Sequence, residues 1–441
     1  MYPFKPLGVY ALDRALDHPA GSARLWRMLE ALNIPRDQLK IITDENLPEV
    51  VAELQSLWPP AEAPEGIPIH WTRPFIFTLQ RLQEEPIDLD ALLARCPEGT
   101  PRHWVDDIYG GFRTKWRRKR QFDEESNLVC WTAWEFGTQS GCPHGCQYCN
   151  RGKNGKYIAM GLNVEDYVDQ VVEPVMRENP WQKCFRMIAW DADHIAFEPE
   201  YGIFDLVSRK CAELGDRYIY FHTKSANVEW LADIEPKYRK HIAGVWSTTG
   251  AATARTQEPG AATAEERIEA ARRCQEMGVS VRFKFKPIVP TRNWREDYAA
   301  TIKQMLEKVR PESIGMTVVM WMDAPSLRDR LAMDELDPEF VDALNASEEE
   351  MRGVRSGPFP PSVRKEIYRF LIREIRRWDK DVLLYISTET PQMWEELGEE
   401  LGQDPRAFVC GCGPVALPGG KLGLSGDFKH STCVHHGFPD E

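Results

Sequence analysis

Three cysteines stand within eight residues in Cys142-Pro143-His144-Gly145-Cys146-Gln147-Tyr148-Cys149. This stretch restricts the chain's chemistry more than any other. Thiolates are the usual ligands of iron–sulfur clusters, and a cubane has four irons. Three local cysteines hold three of them and leave one iron open to a substrate or cofactor. Gly141 and Gly145 let the backbone curl around such a group. Two other readings stay open at this point. The cysteines could form a structural zinc site completed by His144 or a distant ligand, or they could be buried free thiols. Zinc sites usually pair one C-x-x-C with another, and the sequence has no second pair.

The 441-residue chain is long enough for two or three domains. With 42% hydrophobic and 28% charged residues it reads as an ordinary globular protein, with no run of ~20 apolar residues to span a bilayer. Met1 to Pro6 lacks the apolar core of a signal peptide. Eleven cysteines, an odd number, then read as reduced thiols and metal ligands in a cytoplasmic protein with no membrane partner. A net charge of −13 counts against a general nucleic-acid binder, which needs clustered cations. The local exception is the basic run Arg113 to Arg120 around Trp116, either a DNA contact or a solvated segment.

The pattern along the chain predicts an α/β fold. Residues 1–128 are expected to form a small N-terminal α/β domain. From Trp131 onward, strand-like and helix-like stretches alternate: strands at Trp131–Thr138, Arg186–Trp190, Arg217–His222, Ile242–Thr248, Val279–Val289 and Ile314–Trp321. Helices are expected between them, one opened by a Thr263/Glu266 capping box. Six such units over 129–322 predict a partial (β/α)6 barrel of parallel strands, with the cysteine loop after the first strand, at the end where barrels place their sites. Residues 323–441 are expected to form a C-terminal extension. It opens with an acidic, proline-broken stretch, continues with a helix capped by Ser362 and a strand at Val382–Ser387, and ends in a Cys-rich tail.

The spaced motifs carry a resemblance. They are Tyr2-Pro3-Phe4-Lys5-Pro6 with Arg14-Ala15-Leu16, Gly141 to Cys149, Phe221-His222-Thr223-Lys224, Glu258-Pro259-Gly260 with Arg267 to Ala271, and Pro287-Ile288-Val289-Pro290 before Trp294. The cysteine loop, with Tyr148 before its last cysteine, resembles radical S-adenosylmethionine (SAM) enzymes, and the full set resembles their spore photoproduct lyase family. The resemblance implies a radical SAM barrel in which Cys142, Cys146 and Cys149 hold a 4Fe–4S cluster. It implies that SAM sits near Tyr148, Asp193, Lys224 and Ser247, and that an electron donor such as flavodoxin or ferredoxin reduces the cluster. It further implies reductive cleavage of SAM to a 5′-deoxyadenosyl radical and a lyase-like reaction on a pyrimidine dimer in DNA. The alternative is a member redirected to a small metabolite, peptide or natural product.

Two positions depart from the lyases. Trp190 stands where they carry a hydrogen-donor cysteine, and Asn150 where a tyrosine follows the third cluster cysteine. An indole N–H is a poor hydrogen donor, so turnover through that route is expected to be weak or absent. The tail adds Cys410-Gly411-Cys412-Gly413, Cys433 and His430, His435 and His436. Cys410 and Cys412 are candidate catalytic thiols replacing the missing donor. Alternatively, Cys410, Cys412 and Cys433 hold a second cluster or a zinc ion, or the tail is a mobile end with incidental cysteines.

Overall fold

The computed structural model describes residues 1–83, 87–111, 116–117, 128–130, 133–149, 155–187, 192–403 and 408–419. The strands among them are β1 (Val9–Leu12), β2 (Leu39–Ile42), β3 (Phe75–Thr78), β4 (Trp116–Arg117), β5 (Trp134–Phe136), β6 (Gln139–Ser140), β7 (Ile158–Gly161), β8 (Cys184–Met187), β9 (Tyr218–Thr223), β10 (Ile242–Thr248), β11 (Ser280–Ile288), β12 (Ser313–Val318) and β13 (Leu383–Ile386). They form two sheets, ordered β2-β1-β3-β7-β6 and β13-β12-β11-β10-β9-β8-β5-β4. In the larger sheet seven strands are parallel, and β4 pairs antiparallel with β5 at one edge.

The larger sheet is the expected partial barrel, and its two faces differ in chemistry. Phe221, Trp246, Phe283, Phe285 and Ile314 are buried in the apolar layer shared with the covering helices. Phe204 of helix Ile203–Leu214 packs edge-on to Phe221 at 5.9 Å, and Tyr298 of helix Trp294–Lys308 lies 5.7 Å from Phe285. Trp294, fully buried, meets Phe370 of helix Pro361–Trp378 at 4.9 Å and Phe340 at 5.5 Å. Each such pair contributes about 0.5–1.5 kcal/mol beyond area burial.

Alternate residues of the same strands face the other way and are polar. Parallel register sets Glu135, Arg186 and Tyr220 in one row, then Ser247, Lys284, Gly315 and Tyr385 in a row nearer the C-terminal ends. A barrel of this width normally fills its interior with branched apolar side chains. Here the interior is lined with charge, and something else must satisfy it.

Several expectations shift in detail. The helix after Thr263 carries the full capping box, as its sequence predicts. Ser362 caps nothing: the helix starts at Pro361, with no side-chain bond at its cap, because a leading proline presets φ and lacks the N–H that a cap would satisfy. The acidic stretch after 322 is not simply irregular. It holds helices Ala324–Arg330 and Pro338–Ala346, capped by the carboxylates of Asp323 and Asp337. The strand expected over Trp131–Thr138 is shorter, because Gln139 and Ser140 leave β5 to pair with β7 in the other sheet. The region read as an extension adds β13, a seventh parallel strand, to the barrel sheet. Asn150, Trp190, Cys433, His430, His435, His436 and all but the β4 backbone of the basic run lie outside the described residues. Among the described residues no helix is long and apolar enough to cross a membrane.

Candidate functional site

The cysteine loop hangs between the two sheets, because β6 crosses from the barrel to the smaller sheet just before it. Gly145 adopts φ +64°, and a Cβ there would lie 2.2 Å from the ring of His70. Only glycine allows this turn. Cys146 is buried, while Cys142 and Cys149 are partly exposed. Beneath them lies the buried guanidinium of Arg73, which donates to the carbonyl of Cys142. Burial lowers its pKa to about 10, a drop opposed by charge on all three cysteines. Arg73 thus lies within electrostatic reach of all three thiols.

The loop is tied to the barrel by its middle residues. Both ring nitrogens of His144 face acceptors, Gly260 O at 3.1 Å and Asp193 Oδ2 at 2.6 Å. Neither is left for a metal, so His144 is not the fourth zinc ligand. Gly260 N–H in turn donates to His144 O at 2.8 Å, Gln147 N–H to Gln257 O at 2.9 Å, and Trp71 Nε1–H to Gly260 O at 2.9 Å. Asp193 also accepts from the Thr223 hydroxyl and from Lys224 N–H at 2.9 Å. Burial pushes its carboxyl up, but His144 and these donors more than offset it and hold it below the usual carboxylate range.

Glu258 is the charge centre beside Tyr148. One carboxylate oxygen pairs with Lys224 Nζ at 2.9 Å and accepts from the Tyr148 hydroxyl; the other pairs with Arg267. Burial opposes ionisation, yet Arg267 and Lys224 together bring its pKa to about 2. Lys224 also donates to Lys286 O at 3.2 Å and lies 5.6 Å from the Tyr148 ring centre. Arg267 donates to Ser247 O at 2.9 Å, and Ser247 itself is partly exposed on β10. Removing the Glu258 charge would leave two cations facing each other in a buried site, a loss that costs about 3–5 kcal/mol. Glu258→Gln is therefore expected to unfold at clearly lower denaturant, measured by urea titration. A change below about 1 kcal/mol would mean that water screens the cluster.

These residues fit a cluster better than a single ion. Among the described residues no three His, Cys, Asp or Glu gather as one metal ion would need, whereas a cubane takes each thiolate on a different iron. Three thiols on one loop, a turn that only glycine makes and a buried cation behind them suit an anionic cluster. Tyr148, Asp193, Lys224 and Ser247, expected around SAM, are all brought to this end of the barrel. Asp193 and Lys224 spend part of their bonding on the loop and on Glu258.

The tail cysteines lie inside the barrel. Cys410 and Cys412 are both buried, with sulfurs 4.0 Å apart, and Lys284 Nζ donates to Cys412 Sγ at 2.8 Å. A Cβ on Gly411 would lie 2.1 Å from Ser313 Oγ. Arg282 donates to Gly411 O and Ala416 O at 2.8 Å each, and Lys183 and Cys184 N–H both donate to Pro414 O at 2.8 Å. Residues 410–419 thus plug the polar interior and bond its charges. Lys284, whose ammonium bonds Cys412, pairs in register with Ser247 on the neighbouring strand.

Sequence reasoning did not give roles to Arg73, Lys284 or Trp71, and it quoted Glu258 and Arg267 only as motif residues. Arg73, Trp71 and Lys284 each act through a contact more than 60 positions away, and Glu258 gathers Tyr148, Lys224 and Arg267 from three separate segments; no periodicity reports such contacts. A usable signal was the lysine–arginine alternation Arg282, Lys284, Lys286 on a β-forming stretch, which puts three cations on one strand face.

The family model "Spore photoproduct lyase" matches residues 118–321. A cysteine-to-serine mutant of spore photoproduct lyase superposes with a TM-score of 0.58 at 15% identity, over 87% of this chain and 99% of that one. A mutant with bound AdoMet and dinucleoside spore photoproduct gives 0.58 at 16%, over 88% and 100%. A complex of the lyase with dinucleoside spore photoproduct gives 0.57 at 16%, over 87% and 99%. At that identity the likeness is one of fold. No curated protein sequence matches the chain.

Proposed function

We propose that the chain, which resembles the spore photoproduct lyase family over residues 118–321, is a radical SAM enzyme that abstracts a hydrogen atom from a pyrimidine-dimer lesion and returns one from Cys410. The observation that carries the reading is the cysteine loop hung over the C-terminal ends of seven parallel strands, with Lys224, Glu258 and Tyr148 beside it. When bound, the cluster and SAM supply a 5′-deoxyadenosyl radical from one electron.

The chain's own residues do the rest. Cys142, Cys146 and Cys149 hold the cluster, and Arg73 offsets its negative charge. The Lys224 ammonium, shared with Glu258, is placed to meet a carboxylate. His144 and Asp193 lock the loop to β9. In the interior, burial and neighbouring Cys412 keep the proton on Cys410. The hydrogen bond from Cys410, followed by Lys284, draws Cys412 toward the thiolate. Two like groups with pKa values pushed apart divide the work. The Cys410 S–H bond breaks as the product C–H bond forms, leaving a sulfur radical. One electron from a flavodoxin- or ferredoxin-type donor and one proton restore the thiol.

The reading gives the basic run no role in binding DNA, and it favours a thiol donor over a second cluster or zinc at Cys410 and Cys412. The test is anaerobic reconstitution followed by assay on dinucleotide spore photoproduct. Support is about four irons per chain, 5′-deoxyadenosine release and lesion conversion. About eight irons would favour a second cluster. Release without conversion would favour a redirected substrate.

A further inference from the structure

Two indoles among the described residues are nearly half exposed, Trp321 at 47% and Trp378 at 46%. Trp378 ends a helix of the outer layer. Trp321 follows β12 by three residues, at the end of the sheet where the cysteine loop lies. Its φ is +63°, a region that bulky residues enter only when the surroundings enforce it, and such outliers cluster at ligand sites. Its backbone N–H donates to Arg355 O at 3.1 Å, which holds the turn and sets the exposed Arg355 next to it.

Two separate paths connect this indole to the cysteine loop. Lys286 Nζ lies 4.6 Å from its ring centre, and Lys286 O accepts from Lys224 Nζ, which reaches Glu258 and Tyr148. From the other side, helix Ala324–Arg330 begins three residues later and returns Arg330 to Tyr148 O at 3.4 Å. The indole therefore stands at the barrel mouth. Lys286 stands against its ring and Arg355 beside its backbone, while Arg330 reaches toward Tyr148 near Asp323.

We propose that Trp321 and Lys286 form a substrate subsite for a nucleotide, whose base stacks on the indole while its phosphate meets the Lys286 ammonium. An exposed indole takes any flat unsaturated ring. The cation fixed beside it favours a ring with an anion close by, which a nucleotide has and an aromatic peptide side chain lacks. This inference rests on the substrate reading above and deepens it, since a pyrimidine lesion presents a base with its phosphate. Trp321 is a positioning residue here, and the radical chemistry belongs to the loop.

Binding tests it without turnover. Equilibrium dialysis of the reconstituted full chain with thymidylyl-thymidine and with thymidine reads ring and phosphate separately. The dinucleotide is expected to bind about tenfold or more tightly than thymidine. Trp321→Ala is expected to weaken the dinucleotide by about tenfold or more, on the scale of one base–aromatic stack, while Trp321→Tyr keeps binding near the wild-type value. Lys286→Met should weaken the dinucleotide but not thymidine. Unchanged dinucleotide binding in Trp321→Ala, equal loss in Trp321→Tyr, or a higher SAM KM as the sole effect would overturn the subsite. Wild-type protein that releases no 5′-deoxyadenosine would instead strike the proposed function, and the dialysis result would still decide the subsite.

Discussion

Alanine at Cys142, Cys146 and Cys149 together is expected to bring 5′-deoxyadenosine release from SAM to background and bound iron from about four per chain to near zero. No other change should act so completely, because these three thiols are the whole local ligand set. The second-best donor nearby, His144, already has both ring nitrogens engaged. The change should leave the fold in place. The His144 ring, the Tyr148 hydroxyl on Glu258 and the backbone groups of Cys142, His144 and Gln147 still attach the loop after the change. Anaerobic iron and sulfide analysis beside a SAM cleavage assay checks both expectations. A triple variant that kept its iron and cleaved SAM at the normal rate would move the cluster elsewhere in the chain.

How much of this was legible in the sequence depended on whether the signal was local. The cysteine spacing marked a candidate ligand set, since three thiols on one short loop need no partner from elsewhere. The capping box at Thr263 gave the start of its helix for the same reason. The βα alternation gave the barrel. It stopped one strand short, because β13 follows a long stretch whose two helices are capped by Asp323 and Asp337 and read in composition only as acidic and broken. The charged interior was the hardest part to see. Arg282, Lys284 and Lys286 lie on one strand, but the carbonyls and sulfur that satisfy Arg282 and Lys284 arrive from residues 411–416, more than 120 positions later. A strand rich in cations looks unfavourable as a core element until the chain that bonds it is known. The tail was legible in part: Cys410 and Cys412 were expected to act at the barrel, and they are buried in it, but the bonds that Gly411, Pro414 and Ala416 make there were not foreseeable.

That buried tail sets up the second large effect. Cys410→Ser is expected to cut lesion conversion by on the order of a hundredfold or more, the scale lost with a positioned hydrogen-transferring group. The hydroxyl fills nearly the same space but holds its hydrogen far more tightly than a thiol does. In this variant 5′-deoxyadenosine release should outrun product, because radicals form without a partner to end them. The decisive readout is isotopic. Thiol hydrogens exchange with solvent, so turnover in deuterium oxide should place one deuterium in the product of the wild-type protein and none in that of Cys410→Ser. Lys284→Met should give a smaller loss and keep the deuterium, since it touches Cys412 and leaves the donor sulfur in place. Product that forms at the normal rate in Cys410→Ser, or that gains no deuterium in the wild type, would assign the returning hydrogen to another group.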